Sequence, residues 1–183
     1  CDRKILLIFL IYIVVNIFYC FKLKNMVIID VMTITFGFVL RVESGSLATG
    51  VQVSPWLFLC TILLALFIAL NKRKSEIIAL KDKSASHRKI LEEYSVDMID
   101  KMLTIVTPSI LMAYCLYTFS SVQSKTMIFT IPFVLYGIFR YQYLMDKKNI
   151  GGKPEDVFFK DTPFLINIVL WGISVLLIIY LKL

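Results

Sequence analysis

The chain has 183 residues, is 58% hydrophobic, and carries a formal net charge of +7 with a mean hydropathy of +0.79. That is too apolar for a soluble domain, so the composition reads as an all-α, polytopic membrane protein. No nucleic-acid-binding signature accompanies the basic excess, which is assigned to membrane topology and the membrane surface rather than to nucleic acid.

The first predicted span is ILLIFLIYIVVNIFYCF, residues 5–21, with Asn16 at mid-membrane depth. An intramembrane Asn either bonds a neighbouring helix or lines a cavity. This run lacks a cleavage site and is followed by basic residues, so it reads as a span and not as a signal peptide. The turn Lys22-Leu23-Lys24-Asn25 follows, and then a second span over 26–50 that holds Asp30 and Arg41. Ionisable groups inside a span are costly and face a polar interior. Asp30, Ile34, Gly37 and Arg41 stand at i, i+4, i+7 and i+11, one helical face, with Gly37 leaving room for a close neighbour. Eleven residues rise about 16 Å, so Asp30 and Arg41 do not pair. Arg41 is expected to meet Glu43 or a neighbouring helix. Asp30 is open between a site role and a helix-capping role.

Ser54 and Pro55 are an N-cap and a first-turn proline. They predict a third span over 55–70. The charged stretch Asn71 to Lys101 comes next and is the one long polar passage in the chain. Its segment His87 to Tyr94 reads as a short amphipathic helix capped by Ser86, and His87, without partner ligands, is not a metal site. The fourth span is expected over 101–119, kinked at Pro108. The fifth is expected over 126–144, with Pro132 in mid-span and Arg140, Tyr141 and Tyr143 near its exit. Those tyrosines suit an aromatic interface belt. The sixth runs over 164–181. Cys1, Cys20, Cys60 and Cys115 show no CxxC pairing and read as small buried hydrophobes.

Lysine is concentrated in the loops after spans one, three and five. The positive-inside rule places those loops in the cytoplasm of a cell with this protein in its inner (plasma) membrane, and puts both chain ends on the other side. Lys22, Lys24, Asp30, the charged stretch and Arg140 then gather at the cytoplasmic surface. Within the stretch, Lys72 and Glu76 share a helical face with Arg73 beside them. Such a set can hold a phosphate or a metal–diphosphate, the Lys as a point charge and the Arg as a fork. It can equally be a row of basic residues contacting lipid headgroups. Lys74, about 200° around the helix from Lys72, is expected to face headgroups or water.

The segments YCFKLKNMVIIDVMTITFGFVLRVESGSLATG, VSPWLFLCTILLALFIALNKRKSE, HRKILEEYS and TIPFVLYGIFRYQYL, in this order, resemble the decaprenyl-phosphate phosphoribosyltransferase family of the UbiA prenyltransferase superfamily. The resemblance spans nearly the whole chain. It implies a bundle of nine transmembrane helices around a lateral cavity, of which six are visible here, and a single transmembrane unit over 1–183 with a cytoplasmic cap at 71–101. The implied reaction moves 5-phosphoribose from phosphoribosyl diphosphate to a polyprenyl phosphate lipid with Mg²⁺, for a cell-wall precursor or a polyprenyl-linked glycan. The resemblance gives Asp30, Lys72, Arg73 and Glu76 catalytic roles, and gives Lys22, Lys24, Arg88, Tyr94 and Arg140 substrate contacts. The superfamily's aspartate-rich motif NDxxDxxxD is absent. With the start at Cys1 rather than Met, this predicts a C-terminal two-thirds that is inactive alone and whose metal ligands lie elsewhere. The rival expectations are prenyl transfer to an aromatic acceptor and a non-catalytic membrane subunit or small transporter.

Overall fold

The computed structural model describes residues 3–81, 93–120, 125–148, 157 and 160–181. Every regular element among them is helical: α1 (Arg3–Phe21), α2 (Ile29–Thr49), α3 (Pro55–Lys81), α4 (Val96–Ser120), α5 (Ile131–Lys148) and α6 (Thr162–Leu181). Two 3-10 segments, Leu23–Asn25 and Lys125–Thr130, lead into α2 and α5. The all-α membrane fold expected from the sequence is the one observed.

Local chemistry sets most of the boundaries. Helix α2 ends at Gly50, whose φ of 70° is the left-handed cap that a residue without Cβ adopts at little cost. Helix α3 starts as expected, with the Ser54 hydroxyl accepting the Leu57 N–H at 3.2 Å and Pro55 in the first position. Ser95 caps α4 in the same way through the Met98 N–H. The Asp161 carboxylate caps α6 by accepting the Phe164 N–H at 2.9 Å.

Two boundaries differ most from expectation. Helix α3 does not stop at Leu70 but continues to Lys81, so the first third of the charged stretch is helical. Lys, Arg, Glu, Ile, Ala and Leu sustain a helix, and no Gly or Pro interrupts them. The fifth helix starts at Ile131, not Thr126. Pro132 has no N–H to donate, so it belongs in a first turn, and the residues before it adopt 3-10 geometry. Pro108, by contrast, stays inside one continuous α4. The amphipathic helix expected at His87 to Tyr94 lies almost wholly outside the described residues, as do His87 and Arg88.

Five helices, α1 to α4 and α6, are long and apolar enough to cross a membrane. Helix α5 is shorter and ends in Asp146, Lys147 and Lys148, yet it packs between α4 and α6 as the sixth member of the bundle. Long-range bonds show which helix ends share a face. Lys74 late in α3 meets Asp100 early in α4 and Asp146 late in α5, and Ile28 before α2 meets Tyr94 before α4. Toward the opposite face, Tyr114 bonds Thr130 and receives the Trp171 indole N–H.

The core is Phe67, Leu70, Ile99, Leu103, Leu144 and their neighbours on α3, α4 and α5. Tyr141 belongs to it, tilted against Phe67 and Phe164. It is therefore a packing residue and not part of an interface belt, whereas Tyr143 stays exposed. Helix α1 buries no residue, and α1 and α6 present Leu, Ile and Phe outward, as lipid-facing helices do. The cysteines are less enclosed than expected. Cys20 is exposed, and Cys60 and Cys115 are partly buried; Cys1 lies outside the described residues.

Candidate functional site

The polar end of α3 reads Asn71-Lys72-Arg73-Lys74-Ser75-Glu76. Successive residues on a helix point about 100° apart, so this run addresses several surroundings at once. Lys72 points out and is exposed. Arg73 turns toward α1 and α2 and is only 2% exposed. Its Nε donates to Asp30 Oδ2 at 2.7 Å, its Nη1 to Glu76 and its Nη2 to Tyr19 Oη at 3.3 Å. Asp30, fully buried in the first turn of α2, is thus an ion-pair partner and not a helix cap.

Tyr94 closes the same group from above. It is buried, and its Oη accepts the Ile28 N–H at 2.6 Å. Ile28 has φ 67° and ψ −45°, a tight γ-turn closed by the Ile29 N–H donating to the Val27 carbonyl at 2.7 Å, and a positive φ is unfavourable for a β-branched residue. The bond to Tyr94 helps to hold that turn, which aims Asp30 at Arg73. Burial pushes the Tyr94 phenol above its ordinary pKa, with Asp30 adding in the same direction and the Ile28 N–H opposing. The phenol therefore stays neutral at neutral pH. Lys22 is exposed and Lys24 partly buried in the turn at this same end.

Three expectations about α3 are corrected by this geometry. Lys72 is not inside the group but at the surface, available to solvent or phosphate. Arg73 is not an open fork, since all three of its nitrogens are engaged by Asp30, Glu76 and Tyr19. A guanidinium so committed positions α1, α2 and α3 relative to one another. Lys74, expected to face headgroups or water, is buried instead. Its ammonium lies 2.7 Å from Asp100 Oδ1 and 2.8 Å from Asp146 Oδ1. It borders a cavity of about 440 Å³ between α3, α4 and α5.

Arg140 is placed apart from Arg73 and Asp30. It makes a two-pronged pair with Asp161, Nε to Oδ1 at 3.0 Å and Nη2 to Oδ2 at 2.8 Å, and it stacks over Tyr143. That pair fastens α5 to the cap of α6, which is a structural task. Arg41 meets a neighbouring helix as expected, bonding Tyr12 Oη at 2.6 Å and lying over the Tyr12 and Phe38 rings. Asn16 bonds back to Tyr12 of its own helix and lines the groove between α1 and α2, so the cavity alternative holds for it. Gly37 faces that groove too, with Tyr12 as its close neighbour. A second cavity, about 270 Å³ and almost wholly apolar, lies between α3, α5 and α6 among Phe67, Phe133, Phe164 and Trp171.

Among the described residues no three metal-ligating side chains gather. Asp30 and Glu76 both hold Arg73, and so do not converge on a cation.

Tyr19, Asp100, Asp146 and Asp161 were not singled out from sequence. Their partners stand between 21 and 72 positions away along the chain, and no periodicity or local spacing connects them.

Comparison with known proteins supports the resemblance seen in the sequence. The chain is 30% identical over 177 residues to the decaprenyl-phosphate phosphoribosyltransferase of Corynebacterium glutamicum, covering 93% of this chain and 53% of that protein. It is 28% identical over 173 residues to the protein of that name in Mycolicibacterium smegmatis, covering 88% and 54%. Identity to the Mycobacterium tuberculosis protein of that name is 24% over 166 residues, covering 90% and 55%. The chain spans about half the length of the curated relatives it matches. No family model matches it.

Proposed function

We propose that this chain is part of a membrane phosphoribosyltransferase of the UbiA type that moves 5-phosphoribose from phosphoribosyl diphosphate to decaprenyl phosphate or another polyprenyl phosphate. The observation that carries the reading is the match to three decaprenyl-phosphate phosphoribosyltransferases over about nine-tenths of this chain. The active face is the end that carries Lys22, Lys24, Lys72 and Tyr94, and we assign it to the cytoplasm of the plasma membrane.

In this reading the exposed Lys72 and Lys22 draw anionic substrate to the membrane surface, and Lys24 lies beside them. The Asp30–Arg73–Glu76 group holds α2 and α3 in register beneath them. Tyr94 ties the cap to the start of α2. The apolar cavity between α3, α5 and α6 suits an isoprenoid chain. Mg²⁺ would accompany the diphosphate and neutralise it as it leaves. Its ligands are proposed to lie outside the described residues, and no step here is assigned to it.

The test is transfer by membranes containing the full-length protein, with radiolabelled phosphoribosyl diphosphate and decaprenyl phosphate. A labelled phosphoribosyl lipid is expected, and the 183-residue chain by itself is expected to form none. Prenylation of an aromatic acceptor with no phosphoribosyl lipid would replace this reading with the rival transferase.

A further inference from the structure

Helix α1 packs mainly against α2, and its surface is apolar except along one line. From Ile5 to Tyr19 its only polar side chains are Tyr12, Asn16 and Tyr19. They stand at i, i+4 and i+7, one helical face. Thr33, Gly37 and Arg41 of α2, at i, i+4 and i+8, lie across from them, and the six line one groove of about 180 Å³. Asn16 and Arg41 are exposed, and the other four are partly buried.

This polar line runs through the depth of the membrane. Tyr12 is nine residues from each end of α1. Arg41 is eight residues from the end of α2 at Thr49, about 12 Å along the helix. Its guanidinium is turned toward the middle of α1. Nη2 donates to Tyr12 Oη at 2.6 Å, and the guanidinium carbon lies 5.3 Å and 5.1 Å from the centres of the Tyr12 and Phe38 rings.

Lipid is a poor cover for this face. Hydrocarbon offers a guanidinium no acceptor, and charged side chains inside spans turn to a partner or a polar interior. A phenol oxygen and two ring faces leave the charge itself unbalanced. Among the described residues no carboxylate forms an ion pair with Arg41. A small ligand is a poor cover too, since 180 Å³ is below the ~300–1,000 Å³ of ordinary ligand clefts.

A third helix fits better. Grooves between helices receive the side-chain ridges of a neighbour. Gly37 lowers one wall, and a small residue there lets another backbone come close. The charge of Arg41 calls for a carboxylate on that neighbour. Chain to supply it is at hand, because the relatives matched above are nearly twice as long as the portion aligned here.

We propose that the groove between α1 and α2 is the seat of a further transmembrane helix of the same protein, drawn from the part outside these 183 residues, and that this helix sets an Asp or Glu against Arg41 at mid-membrane depth. The assignment rests on the reading of this chain as part of a larger transferase. The pair fixes the depth and rotation of the incoming helix, because a slip along the groove separates the two charges in hydrocarbon. A single buried polar contact sets register between helices in the same way.

The test is photo-crosslinking within the full-length protein in its membrane, with p-benzoylphenylalanine in place of Asn16 or, separately, of Val15. Both positions line the groove, and the second keeps the test valid if a bulky group at the first blocks the seat. Irradiation is expected to join at least one position to a segment of the same molecule outside residues 1–183. The joined peptide is expected to carry an Asp or Glu within about two helical turns of the adduct. Arg41→Met should abolish the adduct, and Arg41→Lys, which keeps the charge, should retain it; that contrast separates a lost ion pair from a damaged fold. Adducts confined to lipid, to a second copy of the chain or to residues 1–183 would each overturn the seat. So would the absence of any adduct at both positions, a joined peptide without a carboxylate, or an adduct that survives Arg41→Met. Transfer assays on the same full-length protein separate the two proposals. A phosphoribosyl lipid formed without the adduct leaves the transferase reading and removes the seat. The adduct without a phosphoribosyl lipid does the reverse.

Discussion

Arg73 and Lys74 are neighbours in sequence and belong to separate ion groups in space. For Arg73 the partner that matters most to stability is Asp30, because both are buried. Removing one member of a buried pair leaves the other charge uncompensated and costs about 3–5 kcal/mol, more than the pair itself contributes. Arg73→Met removes the guanidinium paired with the fully buried Asp30 and should be the most destabilising single change in this group. Asp30→Asn leaves Arg73 still held by Glu76 and Tyr19 and should cost less. The double variant should be more stable than Arg73→Met alone, since the buried carboxylate charge is then removed along with its cation. Unfolding of the three variants in mixed micelles gives the coupling directly. Simple additivity of the two single changes would show that Asp30 and Arg73 do not depend on one another.

At the scale of the element, the sequence located the helices well and their ends less well. Period and apolar length were enough to find all six. Ser54-Pro55 fixed the start of α3, where the capping chemistry is local. The continuation of α3 to Lys81 has no apolar signal, because charge marks the edge of the apolar layer and not the end of the helix. Pro132 reads as a mid-span residue because the uncharged run 126–131 before it suits a helix as well as the 3-10 segment it largely forms. The site was legible in part. Asp30, Arg73, Glu76 and Tyr94 were chosen from sequence, and the structure brings them together. Their mutual arrangement, and the burial of Lys74, depend on pairings across the bundle that carry no local signal.

The crossing of α5 and α6 offers a test at this same scale. A Cβ built on Gly137 would stand 3.3 Å from Asn167 Nδ2, and that amide donates to the Phe133 carbonyl of α5. A large side chain at Gly137 must push Asn167 away and break that bond. Gly137→Leu is expected to cost about 1–3 kcal/mol by overpacking. Gly172, on α6, has nothing within 4 Å of its added Cβ. Gly172→Ala should be neutral or stabilise by up to about 1 kcal/mol through helix propensity. Thermal midpoints in detergent check both. Equal midpoints for Gly137→Leu and the parent chain would mean that the two helices are not in close contact there.

For the whole molecule, the arrangement of charge should decide its orientation. The ends of α1, α3 and α5 carry Lys22 and Lys24, Lys72 and Lys74, and Lys147 and Lys148. The Lys74 bonds to Asp100 and Asp146 show that the end of α3, the start of α4 and the end of α5 lie on one face. The link between α2 and α3, Val51 to Ser54, has no Lys or Arg. Basic residues near span ends stay on the cytoplasmic side. An antiparallel series of six helices then places residue 72 in the cytoplasm, and residue 51 and the end of α6 on the other side. Both positions suit labelling, since Lys72 and Val51 are exposed. In a background without the native cysteines, Lys72→Cys should react with a membrane-impermeant maleimide only after the cells are opened. Val51→Cys and Tyr180→Cys, the latter at an exposed site one residue from the end of α6, should react in intact cells. If Tyr180→Cys and Val51→Cys label from opposite sides, α5 does not cross, and the bundle has five spans with α5 held at the membrane surface. If Lys72→Cys labels in intact cells, the orientation is inverted and the proposed cytoplasmic active face is wrong.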